Sequence, residues 1–220
     1  LQKDPGSWWF GPGVPLLEYQ VLLIFLWVGL IAWLSPKVIT NPAWIKRDWV
    51  IAFLVWLVAS VVWLNTPWVA NSHFTPKPVL PNLEIYPYSD AAYYDISAQT
   101  LLIGQGYGYG AVIVRPIYSF FLAVLHLIGG QNYDTLIFLQ TAVLAVFPTV
   151  LYFLGRLLGS RLAGLIAAAL CILREVNTIL VTHTATVSSS KLLMSDLPAA
   201  LALSIISLLL FNWLKNNQDR

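Results

Sequence analysis

The chain alternates between long apolar runs and short polar segments, and the lengths of the runs predict its architecture. Four runs are long enough to cross a membrane as helices: Val14–Leu34, Trp49–Ala70, Tyr133–Leu154 and Leu197–Leu214. A helix needs about 20 apolar residues to cross a hydrocarbon core about 30 Å thick. The pattern therefore predicts an all-α protein, a polytopic bundle of transmembrane helices.

Two further apolar runs are shorter. Leu162–Leu173 continues into the polar stretch 174–178, so it can span only if those side chains lie at its end or face protein. Pro116–Ile128 has the ~13 residues typical of an interfacial or re-entrant helix. It begins after Arg115 and ends at Gly129-Gly130, which gives a short helix a clear start and stop. We therefore expect Pro116–Ile128 to lie in the membrane interface.

The positions of the basic residues indicate which runs cross. If Pro116–Ile128 does not span, seven of the 12 Lys and Arg residues lie on one side: Lys37, Lys46, Arg47, Arg156, Arg161, Lys215 and Arg220. Such an excess marks the cytoplasmic side of a membrane protein. If Pro116–Ile128 did span, Arg156 and Arg161 would change sides and the excess would disappear. The predicted topology therefore has about five spans, with residue 1 outside and residue 220 in the cytoplasm.

Composition agrees with a membrane protein and excludes several other classes. Apolar residues make up 58% of the chain and charged residues 10%, whereas a soluble domain has roughly 25% charged residues. A net charge of +2 without a basic block gives no reason to expect nucleic acid binding. The single Cys171 cannot form an internal disulfide, and His183 has no second histidine at metal-ligand spacing. The sequence predicts neither a cofactor nor a metal site.

The topology divides the chain into residues 1–47, with an extra amino-terminal helix and a cytoplasmic loop, a core of 48–214, and a cytoplasmic tail of 215–220. The core has two outer loops, residues 71–115 and 174–196. An apolar stripe in the first loop predicts an interfacial helix over Asp90–Ile103: Ala91, Tyr94, Ala98, Leu101 and Leu102. Asp95 falls off this stripe, so its carboxylate is expected in solvent.

The two outer loops gather the side chains that could carry chemistry. They hold Asp90, Asp95, Arg115, Arg174, Glu175, Lys191 and Asp196, with Tyr86, Tyr88, Tyr93 and Tyr94 nearby. A carboxylate can take a proton from a hydroxyl group. An arginine or lysine can hold a phosphate as charge builds on it. Such a set permits a reaction on a lipid-linked phosphate at the membrane surface.

Four segments carry a resemblance to a known family. They are the run from Tyr86 to Tyr107, the Arg115-Pro116-Ile117-Tyr118 segment, the run Leu154–Arg161, and the run Leu193–Pro198. In this order they resemble the amino-terminal part of the GT-C membrane glycosyltransferases, over about residues 48–214. The nearest resemblance is to bacterial enzymes similar to dolichyl-phosphate-mannose–protein mannosyltransferases.

The resemblance implies a donor of the polyprenyl-phosphate-sugar type, used on the outer face of a bacterial inner membrane. It implies a catalytic role for Asp90, a site role for Asp196, and contact between Arg115 and the donor phosphate. Lys191 is a second candidate for the phosphate, and Tyr93, Tyr94, Arg174 and Glu175 are further site candidates. The family often has a glutamate where this chain has Ala91, and it usually has eight or more spans. The expected protein is therefore part of an enzyme or a subunit that lacks catalysis.

Each candidate also has a simpler interpretation. Asp90 fits the N-cap of its helix, Arg115 could reach only to lipid headgroups, and Lys191 fits a surface lysine. On the second span, Trp49, Trp56 and Trp63 are seven residues apart and fall near one helix face. That stripe could face lipid, or it could dock another membrane subunit, a lipid or a flat pigment. Docking would suit a structural subunit of a larger membrane complex, which is the alternative to an enzyme.

Overall fold

The computed structural model describes residues 14–34, 48–108, 115–183 and 187–218. Over these ranges the regular structure is helical and contains no strand, which confirms the all-α prediction. The helices are α1 (Glu18–Leu34), α2 (Asp48–Asn65), α3 (Asp90–Leu102), α4 (Pro116–Gly129), α5 (Tyr133–Leu144), α6 (Val146–Leu158), α7 (Arg161–Val181) and α8 (Asp196–Gln218).

Within the described ranges, four helical stretches are long and apolar enough to cross a membrane: Asp48–Asn65, Tyr133–Leu158, Arg161–Val181 and Asp196–Asn217. The chain is therefore a multi-pass membrane protein. The apolar helices at Glu18–Trp33 and Pro116–Gly129 are shorter. The first predicted run forms a helix of 17 residues within the described part of the chain. The helix Pro116–Gly129 has 14 residues, the length expected of an interfacial helix.

The helix α7 reaches spanning length because its polar end is accommodated inside the protein. The side chains of Glu175 and Thr178 are buried, while that of Arg174 is exposed near the end of the helix. Buried polar side chains in a membrane helix normally face protein rather than lipid. The polar side chains that follow the run Leu162–Leu173 thus lie near the end of the helix or face protein, as spanning requires.

The chain divides into two compact units, each made of separate segments. Unit 1 includes Thr66–Gln140 and Asn177–Asp196, and unit 2 includes Leu16–Asn65, Thr141–Val176 and Leu197–Arg220. Unit 1 therefore contains the first predicted outer loop and nearly all of the second.

The core of unit 1 forms where α3 packs against α4. Its buried apolar side chains are Ala91, Tyr94, Ala98, Tyr118, Leu122, Ala123, Leu125, Leu136, Leu192, Leu193 and Met194. Three members of the predicted stripe are among them, and Leu101 is partly buried against the cluster. Residues 192–194 come from the second outer loop, so both outer loops contribute to one apolar cluster.

The core of unit 2 forms where α2 packs against α6 and where α6 meets α7. Ala52, Tyr152 and Ala168 are its buried members. A Cβ atom added to Gly155 would lie 2.7 Å from the Cα atom of Gly164. The two helices therefore approach each other at a pair of glycines, as membrane helices commonly do at small residues.

The tryptophans of α2 do not form one outward face. The Trp49 side chain is 73% exposed, but the Trp56 indole donates a hydrogen bond to the Ala142 carbonyl at 3.0 Å. The Trp63 side chain is fully buried and donates to the Ile172 carbonyl at 3.2 Å. The prediction that all three rings dock a partner is therefore wrong for Trp63. Its ring is enclosed, and its indole N–H is satisfied by an acceptor inside the protein, as a buried indole requires.

Candidate functional site

Asp90 is the first residue of α3, and its side chain is exposed. The N-cap residue is Ser89, whose carbonyl accepts from the amides of Ala92 and Tyr93 at 3.1 and 3.3 Å. The Ser89 hydroxyl lies 3.0 Å from Nε2 of His73. The N-cap interpretation of Asp90 is therefore wrong by one residue, and its carboxylate is left at the surface beside the positive end of the helix dipole.

Arg115 is the N-cap residue of α4, as Ser89 is the N-cap residue of α3. Its carbonyl accepts from the amides of Tyr118 and Ser119, both at 3.0 Å, and its side chain is exposed. Its backbone has φ 51° and that of Ser89 has φ 54°. Positive φ is uncommon outside glycine and costs of the order of 1–3 kcal/mol when the surroundings enforce it. Each helix thus begins at a strained residue. In α3 this residue is Ser89, next to the predicted base Asp90, and in α4 it is Arg115, the predicted phosphate ligand.

Tyr118 lies in the contact between α3 and α4, where the charge of Asp196 also affects it. Its hydroxyl donates to Oε1 of Gln140 at 2.8 Å, and its ring meets that of Tyr94 edge-on at 5.4 Å. Burial raises the pKa of Tyr118 well above its ordinary value, and the nearby groups of Asp95, Tyr94 and Asp196 raise it further. The Asp196 carboxylate therefore acts electrostatically on the core of unit 1.

Lys191 is buried, with 5% of its surface exposed, so the surface-lysine interpretation is wrong. Its Nζ atom donates to the Thr66 carbonyl at 2.7 Å, and burial lowers its pKa. The loop around it is held by the Gln140 amide, which donates to the carbonyls of Ser190 and Leu192 at 2.9 and 2.8 Å. A hydrogen-bonded ammonium group is thus enclosed in the second outer loop.

The remaining candidates separate into exposed and buried groups. Tyr93 is exposed and Tyr94 is buried within the core of unit 1. Arg174 is exposed and Glu175 is buried, and both belong to unit 2. Unit 1 therefore holds Asp90, Arg115, Lys191, Asp196, Tyr93 and Tyr94. Because both outer loops must emerge from neighbouring helices of one small bundle, the sequence also predicts that Asp90 and Asp196 approach each other across an outer-face cleft with Arg115 at its rim, and this stays a prediction.

Unit 1 contains a buried ionic network that the sequence pattern did not predict. Asp95 is 2% exposed, so its expected place in solvent is wrong. Its carboxylate accepts from Nε2 of His126, the hydroxyl of Tyr133 and the amide of Gln99, each at 2.7 Å. The available signal was His126 itself, because an ionisable residue inside an apolar run requires a partner.

The contacts of His126 determine its protonation state. Its Nε2 atom faces the Asp95 carboxylate, and its Nδ1 atom lies 2.9 Å from the Gly130 carbonyl. Because both neighbours are acceptors, both ring nitrogens must donate, which requires the imidazolium form. Burial alone would lower the pKa of His126, but the hydrogen bonds with Asp95 and Gly130 and the Asp95 charge outweigh it and raise the pKa.

Among the residues that the structure describes, no group of three or more His, Cys, Asp or Glu side chains could hold a metal ion. Comparison with protein-family models, with curated proteins and with solved structures finds no match for the chain. A function for this chain is therefore inferred from the residues and geometry of unit 1.

Proposed function

We propose that unit 1 carries the site of a membrane glycosyltransferase that takes a sugar from a polyprenyl-phosphate donor on the non-cytoplasmic face. The observation that carries this proposal is that two of the three described non-glycine residues with positive φ, Ser89 and Arg115, stand at the starts of α3 and α4, the third being Leu83. Backbone strain of this kind concentrates at functional sites, where the surrounding packing enforces it. In unit 1 the strained residues lie at the starts of α3 and α4, two helices that pack against each other, and the exposed side chains of Asp90 and Arg115 are at these starts.

The proposed reaction is an inverting displacement at the anomeric carbon of the donor sugar. Asp90 takes the proton of an acceptor hydroxyl, and the oxygen of that hydroxyl bonds to the anomeric carbon. The bond from that carbon to the phosphate oxygen breaks, and the polyprenyl phosphate leaves with the electron pair. Arg115 donates to the phosphate as its charge increases, while Lys191 and Asp196 support the site from the second outer loop.

The test incubates the purified protein in liposomes with polyprenyl-phosphate sugars. The rate at which the donor is consumed is measured by the release of polyprenyl phosphate. Asp90→Asn removes the base and Arg115→Gln removes the phosphate ligand, so each is expected to lower the rate at least 100-fold. Matched controls are Asp134→Asn and Lys77→Gln, because both side chains are exposed charges of unit 1. Activity that survives in both site variants would contradict the proposal.

A second candidate is a structural subunit of a larger membrane complex, derived from the same family and without catalysis. One observation favours it: within the spanning window of Asp196–Asn217, only 6% of the residues are buried inside the structure. Such a helix leaves its apolar surface to lipid, to another membrane subunit or to a pigment. A wild-type protein that consumes no donor, with site variants that behave identically, would favour this candidate.

A further inference from the structure

The carboxylate of Asp48, in the first turn of α2, is enclosed by side chains from α6 and α7 within unit 2. Arg161 donates its Nε atom to Oδ1 at 2.8 Å and its Nη2 atom to Oδ2 at 3.3 Å. The Tyr152 hydroxyl donates to Oδ1 at 2.8 Å, and Nη2 of Arg156 lies 2.9 Å from Oδ2. Both oxygens of this buried carboxylate are therefore occupied.

The charges in this cluster do not balance, because one carboxylate faces two guanidinium groups. Arg161 and Asp48 are both buried and pair through two nitrogens, so they already neutralise each other. Arg156 adds a second positive charge through a single nitrogen, and its side chain is 30% exposed. A guanidinium group has five N–H donors. Within the described part of the chain, the ion pair of Arg156 is with Asp48, which leaves donors on an exposed, surplus cation.

The neighbouring sequence adds positive charge and offers no carboxylate to compensate it. Residues 35–47, which precede Asp48, contain Lys37, Lys46 and Arg47 but no Asp or Glu. The two loops predicted at this end of the spans, together with the helix ends that flank them, therefore carry five basic residues against Asp48. An excess of basic residues on one side of a membrane attracts anionic lipids.

An exposed tryptophan indicates the depth of the cluster in the membrane. Trp49 directly follows Asp48, is 73% exposed, and its ring lies 5.1 Å from that of Phe153. Tryptophans at the ends of membrane helices lie at the level of the lipid headgroups. The guanidinium of Arg156, which contacts the residue before Trp49, is therefore at the depth of lipid phosphates.

We propose that Arg156 binds the phosphate of an anionic phospholipid in the leaflet next to the Asp48 cluster. The planar guanidinium group can donate two parallel hydrogen bonds to a phosphate. Asp48 and Arg161 are positioning residues that hold the side chain at the surface. The surplus positive charge selects an anionic headgroup over a zwitterionic one. This site is independent of the proposed glycosyltransferase activity, since it lies in unit 2.

The test titrates the detergent-purified protein with phosphatidylglycerol or with phosphatidylcholine of the same acyl chains, and counts retained lipids by native mass spectrometry. The wild type is expected to retain phosphatidylglycerol preferentially. Arg156→Gln is expected to reduce that preference about fivefold, or about 1 kcal/mol, because it removes the charged hydrogen bonds from the guanidinium group to the lipid phosphate. Arg156→Lys keeps the charge without the planar fork, so an intermediate preference is expected. Lys215→Gln, a change at an exposed lysine on the same predicted side, should leave the preference unchanged.

Four results would overturn the proposal. They are a wild type without preference, an Arg156→Gln variant as selective as the wild type, an equal loss in Lys215→Gln, and displacement of the bound lipid by excess inorganic phosphate. The third would mean diffuse attraction to the whole face, and the fourth would mean a site for free phosphate. If Arg156→Gln does not fold, the wild-type preference and the Arg156→Lys variant decide the question.

Discussion

Two buried carboxylates of the described chain are each paired with a basic side chain on another helix. Asp95 on α3 meets His126 on α4, and Asp48 on α2 meets Arg161 on α7. A buried charge without a partner is costly, and removing one partner of a buried pair destabilises a protein by about 3–5 kcal/mol. These two pairs therefore matter for stability mainly because the loss of one partner leaves the other charge buried and unpaired. The free energy gained by forming each pair is smaller.

The pair of Asp95 and His126 predicts a dependence of stability on pH. The pKa of folded His126 is raised, so its stabilisation is complete below the unfolded pKa of about 6.5 and is lost as pH rises through the folded value. The thermal midpoint of the detergent-purified protein should therefore fall as the pH is raised above about 6.5. His126→Gln should lower the midpoint at about pH 6 and remove most of this dependence.

The matched control for that experiment is His183→Gln, because His183 is an exposed histidine of unit 1. Its midpoint should follow that of the wild type across the pH range. A wild-type midpoint that rises with pH over the same range would contradict the imidazolium assignment.

At the scale of the helices, the packing of α6 against α7 depends on the close approach of Gly155 and Gly164. A Cβ atom on Gly164 would collide with the Tyr152 carbonyl oxygen, which is backbone and cannot move aside without shifting α6. Gly164→Ala should therefore destabilise the protein by about 1–3 kcal/mol or more, as overpacking does. The measurement is the shift of the thermal midpoint in detergent.

Gly29→Ala is the control for this substitution. A Cβ atom on Gly29, in α1, meets nothing within 4 Å, and alanine favours a helix over glycine by up to about 1 kcal/mol. The midpoint should therefore stay the same or rise. Equal destabilisation by both substitutions would mean that the crossing of α6 and α7 is not tightly packed.

For the whole molecule, the packing within unit 1 predicts that both outer loops lie on the same side of the membrane. Lys191 and Gln140 tie the second loop to residues of unit 1, and Leu192–Met194 pack in the same core as α3 and α4. Two loops that share an apolar core cannot emerge on opposite faces of a bilayer.

This arrangement can be tested by cysteine labelling in intact cells, after replacement of Cys171 by serine. Single cysteines at Tyr88 and His183, both exposed positions in the outer loops, should react with a membrane-impermeant maleimide. A cysteine at Lys215 should react only after the membrane is permeabilised. Labelling of only one outer position would contradict the topology and would favour a spanning Pro116–Ile128.

Much of the fold could be predicted from the sequence because run length and charge placement act locally. The all-helical class, the multi-pass character, the short helix at Pro116–Gly129 and the buried stripe of α3 follow from such patterns. The predictions that failed concern which way single side chains face. Asp95, Lys191 and Trp63 were all expected outside the protein, and all three are buried.

The sequence by itself determined that the chain must be helical and embedded in lipid, because an apolar chain with so few charges has no surface for water and must satisfy its backbone internally. Only the tertiary structure decided the pairing of Asp95 with His126 and of Asp48 with Arg161. Each pair joins residues 31 or 113 positions apart. Partners at such distances are brought together by helix packing, and no local pattern in the sequence records which helices will meet.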